Sequence, residues 1–577
     1  MIILGLATGH DAAATIFIDG KLVAYCKEER MTRVKQQAGK ALHQKCIEEV
    51  LRIAGIKSTQ IDKVSLTRSR IPADCFKKSY RPMWATFRKL VRRSLKIHGE
   101  MREQRIIDEF EILDINRMRK HLNVRSDTEI IFTNHHYAHI LGAFKFTTWR
   151  QDALYVCCDG SGDGASYAAY FYDGNTLKRL YGGDDYLFRK KFNFAASIGN
   201  AYTCVTTALG YKGNRHEGKI TGLAAFGKPV LGDEIYNSFS IAKDFEINSS
   251  FKSISALNDH IIERAKQHSP EDMACSVQYA MEKFVLDWIN ALRKEVSCKY
   301  IGMSGGVFAN VRLNQKVAEL DGVEQVYIFP AMGDEGLPVG NCVDLEIQDQ
   351  GLNNILRYAL QDTYFGFNYT GSDLMSLARQ KCIHVVKTKT PADMAADLLA
   401  KGCIGAIFSE RMEMGPRALG ARSIVAAPSK RELNDTLNER LNRTEFMPFA
   451  PYVLDVDARE VFDINDVNYE ACRFMTITTD VKEKYHDMIQ AVVHVDGTAR
   501  PQIIDRDTNE LYYDILVHYK EKTGIPCLVN TSFNAHEEPI INKPIEALNS
   551  LSEKRIDFLV CDGGLIFRSE AEYCSFK

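Results

Sequence analysis

The 577-residue sequence carries almost no net charge, −2 with histidine neutral, so it offers no global attraction to nucleic acid or to an anionic membrane. It lacks any apolar run approaching the roughly 18 residues that read as a bilayer span. The apolar start from Met1 to Ala7 has no basic lead and breaks at Gly9-His10-Asp11, so it reads as a strand and not as a secretion signal. No two of the fifteen cysteines form a CxxC pair. That argues against a zinc ribbon and a disulfide framework, and leaves reduced, mostly buried thiols of the kind expected in a cytoplasm. Hydrophobic residues at 45% and charged residues at 26% are ordinary for a globular chain, here long enough for roughly two to four domains.

What is there begins with Asn134-His135-His136-Tyr137-Ala138-His139, followed by the apolar run Ile140 to Phe144. On a helix, His135 and His139 share one face, one turn apart, and can close on a single metal ion. Asn134 predicts the N-cap of that helix. Two later stretches add carboxylates beside glycines, each at the end of an apolar, strand-like run: Asp159 in Cys158-Asp159-Gly160-Ser161-Gly162-Asp163-Gly164, and Asp334 in Gly333-Asp334-Glu335-Gly336. Two imidazoles and two carboxylates make a mixed donor set suited to Fe(II), Mn(II) or Zn(II).

Residues 1–30 read strand, glycine turn, strand, Asp19-Gly20 turn, strand. Residues 153–181 repeat that order, with Asp173-Gly174 as the second turn. The repeat predicts a duplicated lobe that resembles the superfamily of sugar kinases, actin and the heat-shock chaperone ATPases. In that superfamily such turns cradle nucleotide phosphates with backbone N–H groups, a role expected here of Gly160, Ser161 and Gly162. A third glycine turn, holding Gly305, Gly306 and Asn310, fits the nucleotide site of the second lobe.

Residues 68–106 hold twelve Lys or Arg against three Asp or Glu, with Arg88, Arg92 and Lys96 at helical spacing. Such a ridge is either a solvated face or a surface for an anionic partner. The pattern changes character across residues 345–365. From about residue 390, helix and strand alternate, with helices expected over 392–401 and 432–441 and a strand over 404–408, as in an α/β domain of roughly 200 residues. There Arg411, Arg417 and Arg422 crowd a turn containing Gly415-Pro416 and Gly420, an arrangement suited to gripping phosphate or carboxylate. Arg500, in the His494 to Gln502 stretch, and Ser532, in Asn530-Thr531-Ser532-Phe533-Asn534, are positioned to join them.

These motifs, together with Gly9 to Ala13, Gly218-Lys219-Ile220-Thr221-Gly222-Leu223-Ala224 and Val495-Asp496-Gly497-Thr498, closely resemble the NodU/CmcH O-carbamoyltransferase family. That family includes nodulation-factor, cephalosporin and tobramycin carbamoyltransferases. The resemblance implies an α/β chain in two parts. Residues 1–350 would form a duplicated domain of the actin and sugar-kinase type, similar to the universal tRNA threonylcarbamoyl-transferase fold. Residues 351–577 would form a YrdC-like domain. The C-terminal part would make carbamoyl adenylate from carbamoyl phosphate and ATP, with Mg(II), and the N-terminal part would pass the carbamoyl group to an acceptor hydroxyl.

By the same resemblance the metal is Fe(II) on His135, His139, Asp159 and Asp334, and His10 works on the acceptor hydroxyl. Lys219 joins the nucleotide site, and Arg417, Arg422, Arg443, Arg500 and Ser532 hold carbamoyl phosphate. The chain departs from the family where Leu441 and Met447 replace two expected basic residues. The acceptor is a sugar, a natural product or a hydroxymethylated nucleobase, and the basic ridge favours an anionic one. Two competing readings share the folds: a tRNA threonylcarbamoyladenosine-type enzyme, and a non-catalytic ATP-binding regulatory protein.

Overall fold

The computed structural model describes residues 1–39, 42, 44–67, 71–77, 113–182, 193–443 and 448–576. Arg88, Arg92 and Lys96 of the basic ridge, and Met447, lie outside the described residues.

The strands β1 (Ile2–Ala7), β2 (Ala13–Ile18), β3 (Lys21–Lys27), β4 (Lys63–Thr67) and β5 (Glu129–Phe132) form one sheet in the order β3-β2-β1-β4-β5. β1 is a continuous apolar run, buried from Ile3 onward, as a strand covered on both faces must be. It pairs antiparallel with β2 and parallel with β4, while β2 pairs antiparallel with β3 and β4 parallel with β5.

The next strands are β6 (Ala153–Gly162), β7 (Ala165–Tyr172) and β8 (Leu177–Tyr181), then a separate hairpin of β9 (Phe239–Ile241) with β10 (Ile247–Ser249), then β11 (Tyr300–Ser304) and β12 (Gln325–Ile328). The second sheet runs β12-β11-β6-β7-β8, again with three antiparallel strands followed by two parallel ones. Read from its other edge, it repeats the first sheet strand for strand. The expected duplicated lobe is therefore present.

The two hairpins are closed by different turns. Asp19 and Gly20 both take positive φ, 48° and 79°, as a two-residue primed turn requires. In the second lobe the left-handed pair is Asp163-Gly164, between β6 and β7, with φ of 46° and 77°. Asp173 instead organises a four-residue loop, its carboxylate accepting the N–H groups of Asn175 and Thr176 at 3.0 and 2.6 Å.

Two helices cross between the lobes. The helix His135–Lys145 follows β5 of the first sheet but packs on β6, β7 and β11 of the second. The helix Leu337–Gln350 follows the second sheet but packs on β1, β2 and β4 of the first. Their backbones approach so closely that a Cβ on Gly340 would lie 2.7 Å from Ala138 Cα. Further along, fully buried Lys145 and Glu346 pair at 2.6 Å and clasp the same two helices.

The helix Leu337–Gln350 runs unbroken through the start of the expected change in character, and the chain beyond it is packed against the first lobe. The Tyr358 hydroxyl accepts from Leu22 N–H at 3.0 Å, and the Tyr25 N–H donates to Phe365 O at 2.9 Å. The C-terminal strands are β13 (His384–Lys387), β14 (Gly405–Ile407), β15 (Ser423–Ala426), β16 (Ala450–Leu454), β17 (Thr479–Asp480), β18 (Thr498–Ala499), β19 (Gln502–Ile504), β20 (Cys527–Ser532), β21 (Phe558–Cys561) and β22 (Gly564–Phe567). Eight of them form a mixed sheet in the order β13-β22-β21-β14-β15-β20-β16-β19. The helices Pro391–Ala400 and Glu510–Thr523 pack together over it, with Tyr452 and Tyr512 stacked at 3.9 Å in that core. The helices expected over 392–401 and 432–441 are found as Pro391–Ala400 and Leu433–Arg440. All cysteines are free thiols, and among the described residues no helix is long and apolar enough to cross a membrane.

Candidate active site

The crossing of the two helices brings the predicted donor set together. Asn134 caps the first helix, its carbonyl oxygen accepting the N–H groups of His136 and Tyr137 at 3.0 Å each. That fixes His135 in the first turn and His139 one turn later, with ring centroids 4.8 Å apart. His135 Nε2 lies 3.0 Å from Asp159 Oδ2 and 3.5 Å from Asp334 Oδ1, and His139 Nε2 lies 3.6 Å from Asp334 Oδ1. The four ligand atoms all fall within 4.8 Å of one another, and three of the four residues are buried.

Several features fit this cluster to a cation. His139 Nε2 is buried and has no hydrogen-bond partner, and it faces a carboxylate beyond hydrogen-bonding reach. Its other nitrogen, Nδ1, lies 3.3 Å from Ser304 Oγ, which holds the ring so that Nε2 turns inward. A Cβ on Gly162 would collide with the His135 ring, so only glycine lets β6 pass so close. Burial is the largest influence on Asp159 and opposes its charge, but the hydrogen bond with His135 and the charges of His135 and His139 together outweigh it and hold the carboxyl well below the usual carboxylate range.

The predicted nucleotide turns border the same cluster. Gly306 sits where a Cβ would be 3.0 Å from Asp159 Oδ1. Gly305 has φ of 102°, and a Cβ there would be 2.8 Å from the Cys158 carbonyl carbon, so the turn demands glycine. Gly160, Ser161 and Gly162 form the irregular end of β6, where the register with β7 shifts. Asn310 caps the helix Val311–Ala318 and donates to Gln278 Oε1 at 2.8 Å and Thr221 Oγ1 at 3.2 Å. This ties the third glycine turn to the helix Glu217–Leu223, which carries buried Lys219.

His10 stands at the rim of the cluster in the turn after β1, its side chain 55% exposed. Its Nε2 lies 3.3 Å from Asp334 Oδ2 and its Nδ1 3.3 Å from Asp11 Oδ2. Behind it lies a buried charge network that the motifs did not single out. Lys27 Nζ is 3.2 Å from Asp11 Oδ1 and 3.4 Å from Glu29 Oε1. Burial opposes the Lys27 charge, but Glu29, Asp11 and Glu335 more than offset it, and its pKa rises above the ordinary lysine value. Burial likewise opposes the Asp11 charge, but Lys27 and His10 keep its pKa low.

The arginine group of the C-terminal part divides in two. Arg443 donates to Thr531 Oγ1 at 2.8 Å, Ser532 Oγ at 3.1 Å and Asn534 O at 2.7 Å, so Arg443 and Ser532 are brought together. Arg417 reaches across to within 3.5 Å of Ala309 O in the third glycine turn. Arg500 directly precedes Pro501 and β19 at the edge of the sheet. Arg422 is fully enclosed instead. Its Nη1 donates to Ser409 O at 2.6 Å and Ala421 O at 2.8 Å, and its guanidinium stacks on Phe408. Burial lowers its pKa to about 10. Glu413 organises the same loop, its Oε1 accepting the N–H groups of Leu419, Ala421 and Arg422. Leu441, one of the two positions where the family resemblance leads one to expect a basic residue, is a buried apolar side chain at the end of the helix Leu433–Arg440.

The model of the carbamoyltransferase N-terminus matches residues 2–343, and that of the carbamoyltransferase C-terminus matches residues 396–568. The nodulation protein NolNO of Sinorhizobium fredii is 29% identical over 576 residues, covering 97% of this chain and 79% of that protein. The nodulation protein NolO of Bradyrhizobium diazoefficiens is 30% identical over 450 residues, covering 76% and 79%. An uncharacterized protein of Methanocaldococcus jannaschii, MJ1051, is 29% identical over 583 residues, covering 98% and 99%. Among solved structures, HypF of T. kodakarensis is 15% identical, covering 62% of this chain and 49% of that one, with a TM-score of 0.33, a likeness too loose to argue from.

Proposed function

The chain belongs to the carbamoyltransferase family, and we propose that it carries out carbamoyl transfer as an ATP-dependent O-carbamoyltransferase working through carbamoyl adenylate. Membership of an enzyme family sets aside the non-catalytic reading. The observation that carries the proposal is the convergence of His10, His135, His139, Asp159 and Asp334 where glycine turns of nucleotide-cradling type meet. A pure binding module has no use for such a set.

In this reading residues 351–577 make the adenylate. Arg417, Arg443, Arg500 and Ser532 bind carbamoyl phosphate, and Arg422, enclosed behind them, holds the loop that carries Arg417. Water releases phosphate from carbamoyl phosphate. The resulting carbamate oxygen attacks the α-phosphorus of Mg-bound ATP, and pyrophosphate leaves.

Residues 1–350 perform the transfer. The turns with Gly160, Ser161, Gly162, Gly305 and Gly306, together with Lys219 and Asn310, hold the adenylate phosphate. His135, His139, Asp159 and Asp334 would hold Fe(II) or another divalent transition metal, which when bound would supply Lewis-acid stabilisation of developing negative charge. His10 Nε2 takes the proton as the acceptor hydroxyl attacks the carbamoyl carbon, the bond to the phosphate oxygen breaks, and AMP leaves. The acceptor is a hydroxyl compound, and the excess of base over acid in residues 68–106 favours an anionic one.

Measuring pyrophosphate and AMP with ATP and carbamoyl phosphate present tests this. Release of both, dependent on carbamoyl phosphate, is the expected result, and release of neither would refute the adenylate route.

A further inference from the structure

We propose that Asp11 and Lys27 are positioning residues for His10, with Lys27 acting through Asp11 to hold the imidazole against the metal-ligand cluster. The inference rests on the reading of His10 as the group that activates the acceptor.

A half-exposed imidazole on a turn is free to rotate unless something holds it. Two carboxylates bracket this ring, Asp11 Oδ2 at Nδ1 and Asp334 Oδ2 at Nε2, each at 3.3 Å. Asp334 belongs to the donor set, whereas Asp11 stands outside it at Nδ1, on the side of the ring away from the cluster, where it can set the ring's orientation. Asp11 is itself only 7% exposed and sits at φ of 53°, a left-handed conformation that Asp and Asn tolerate better than most residues. A buried carboxylate with no cation nearby would be costly to keep ionised.

Lys27 supplies that cation. It closes β3 opposite Ala13, in register with the start of β2, and is 5% exposed. A lysine at a buried strand position costs stability unless its charge is used. Here Nζ spans Asp11 Oδ1 and Glu29 Oε1, and Glu29 is fixed in turn by the Gln36 N–H, which donates to its Oε2 at 2.7 Å. Holding Oδ1 of Asp11 leaves Oδ2 directed at His10 Nδ1. The imidazole then presents Nε2 inward, the nitrogen that must meet the acceptor proton.

The test uses the full chain with ATP and carbamoyl phosphate, and with water and glycerol as hydroxyl acceptors. Lys27→Met keeps the apolar stem and removes the charge, and Asp11→Asn suits the left-handed backbone. Each is expected to lower kcat for AMP release by about tenfold or more, with pyrophosphate formation, the KM for carbamoyl phosphate and metal content unchanged. The double variant should be no slower than Asp11→Asn alone, because Lys27 works through Asp11. Lys27→Arg should recover part of the rate.

A crystal structure of Lys27→Met supplies a readout apart from turnover: the His10 ring should swing out of hydrogen-bonding reach of Asp11. If the ring keeps its pose, or if the losses of the two single variants multiply in the double variant, the positioning role is overturned. Should the parent enzyme release no AMP, the adenylate reading fails on its own, and the pose of His10 in Lys27→Met still decides this proposal.

Discussion

Gly340→Ala sets a gain in local propensity against a collision, and the distances decide between them. In a helix interior alanine is favoured over glycine by about 1 kcal/mol. A Cβ at residue 340 would stand 2.5 Å from the Ala138 carbonyl carbon and 2.7 Å from its Cα, and closer still to its oxygen. Ordinary contacts begin near 3.4 Å, and the carbonyl oxygen is the tightest of the three, so the helices must separate by more than about 1 Å. The obstacle is backbone, which cannot swing aside as a side chain can.

Overpacking of this kind costs about 1–3 kcal/mol, which cancels or exceeds the propensity gain. The larger effect falls on the site. Ala138 lies next to His139, and Asp334 stands just before the helix that carries Gly340. Metal ligands must sit within about 0.2 Å of their working distances, so a separation several times larger breaks the set. The expected result is a folded protein whose affinity for a divalent metal falls about 10–100-fold, with AMP release falling in step and pyrophosphate release retained. Calorimetric metal titration and thermal melts measure the two parts. Gly218→Ala, with nothing within 4 Å of its added Cβ, serves as the control for stability alone. Parent-like metal affinity in Gly340→Ala would refute the claim that the helix crossing sets the donor geometry.

His139→Ala should abolish metal retention and AMP release while leaving pyrophosphate release largely intact, as elemental analysis and the two product assays would show. Ser532→Ala and Arg417→Ala should each raise the KM for carbamoyl phosphate by roughly 10–150-fold, the equivalent of one charged hydrogen bond of about 1.5–3 kcal/mol. Lys145→Met should be strongly destabilising because it strands buried Glu346, whereas the double change Lys145→Met with Glu346→Leu should recover most of the melting temperature. Glu537 is held to a pKa of about 2, since the hydrogen bonds from Lys212 and His216 outweigh its desolvation. Its folded pKa is depressed, so its contribution is complete above the unfolded value near 4.5 and is lost as pH falls towards 2. Glu537→Gln should therefore flatten the acid limb of a stability-versus-pH curve over that window.

The fold was legible where a single segment carries its own signal. Four-residue spacing after Asn134 gave a capped helix with both imidazoles on one face, and the apolar run before Asp159 gave a strand that carries this carboxylate near its end. Asp334, expected at a strand end, instead opens the 3-10 turn before the helix Leu337–Gln350, well past the end of β12. The repeated strand grammar gave the duplicated lobe, although Asp173-Gly174 closes its hairpin differently from Asp19-Gly20. Contacts between distant segments left no local trace. Lys27 reads as an ordinary polar residue at the end of a strand, and only the pairing of β3 with β2 brings it to Asp11. Ser304 looks like part of a glycine turn until the crossing helix places His139 beside it. The burial of Arg422 was hidden for a related reason: the arginine count of a loop does not say which guanidinium turns inward, and Phe408 and two backbone carbonyls flank this one.

The seam between the lobes and the C-terminal sheet explains how the arginine loop is fixed in place. Arg30 Nη2 donates to Gly415 O at 3.2 Å, and Arg411 Nη2 donates to Val23 O at 2.9 Å. Arg33 donates to Pro539 O and Ile540 O at 2.7 Å each. In each case the acceptor is a main-chain carbonyl, which neither titrates nor leaves its place when a side chain rotates. Gly415, with φ of 88° and a would-be Cβ 2.7 Å from Pro330 O, lets the loop lie flush against the second lobe. The loop carrying Arg417 is thus located by backbone contacts from both lobes, while the pairing of Lys212, Arg215 and His216 with Glu537 adds a part-exposed, pH-sensitive tie at the rim. Weakening that rim should change how readily the two parts separate without moving Arg417 relative to Gly415, because none of the contacts that place the loop depends on Glu537.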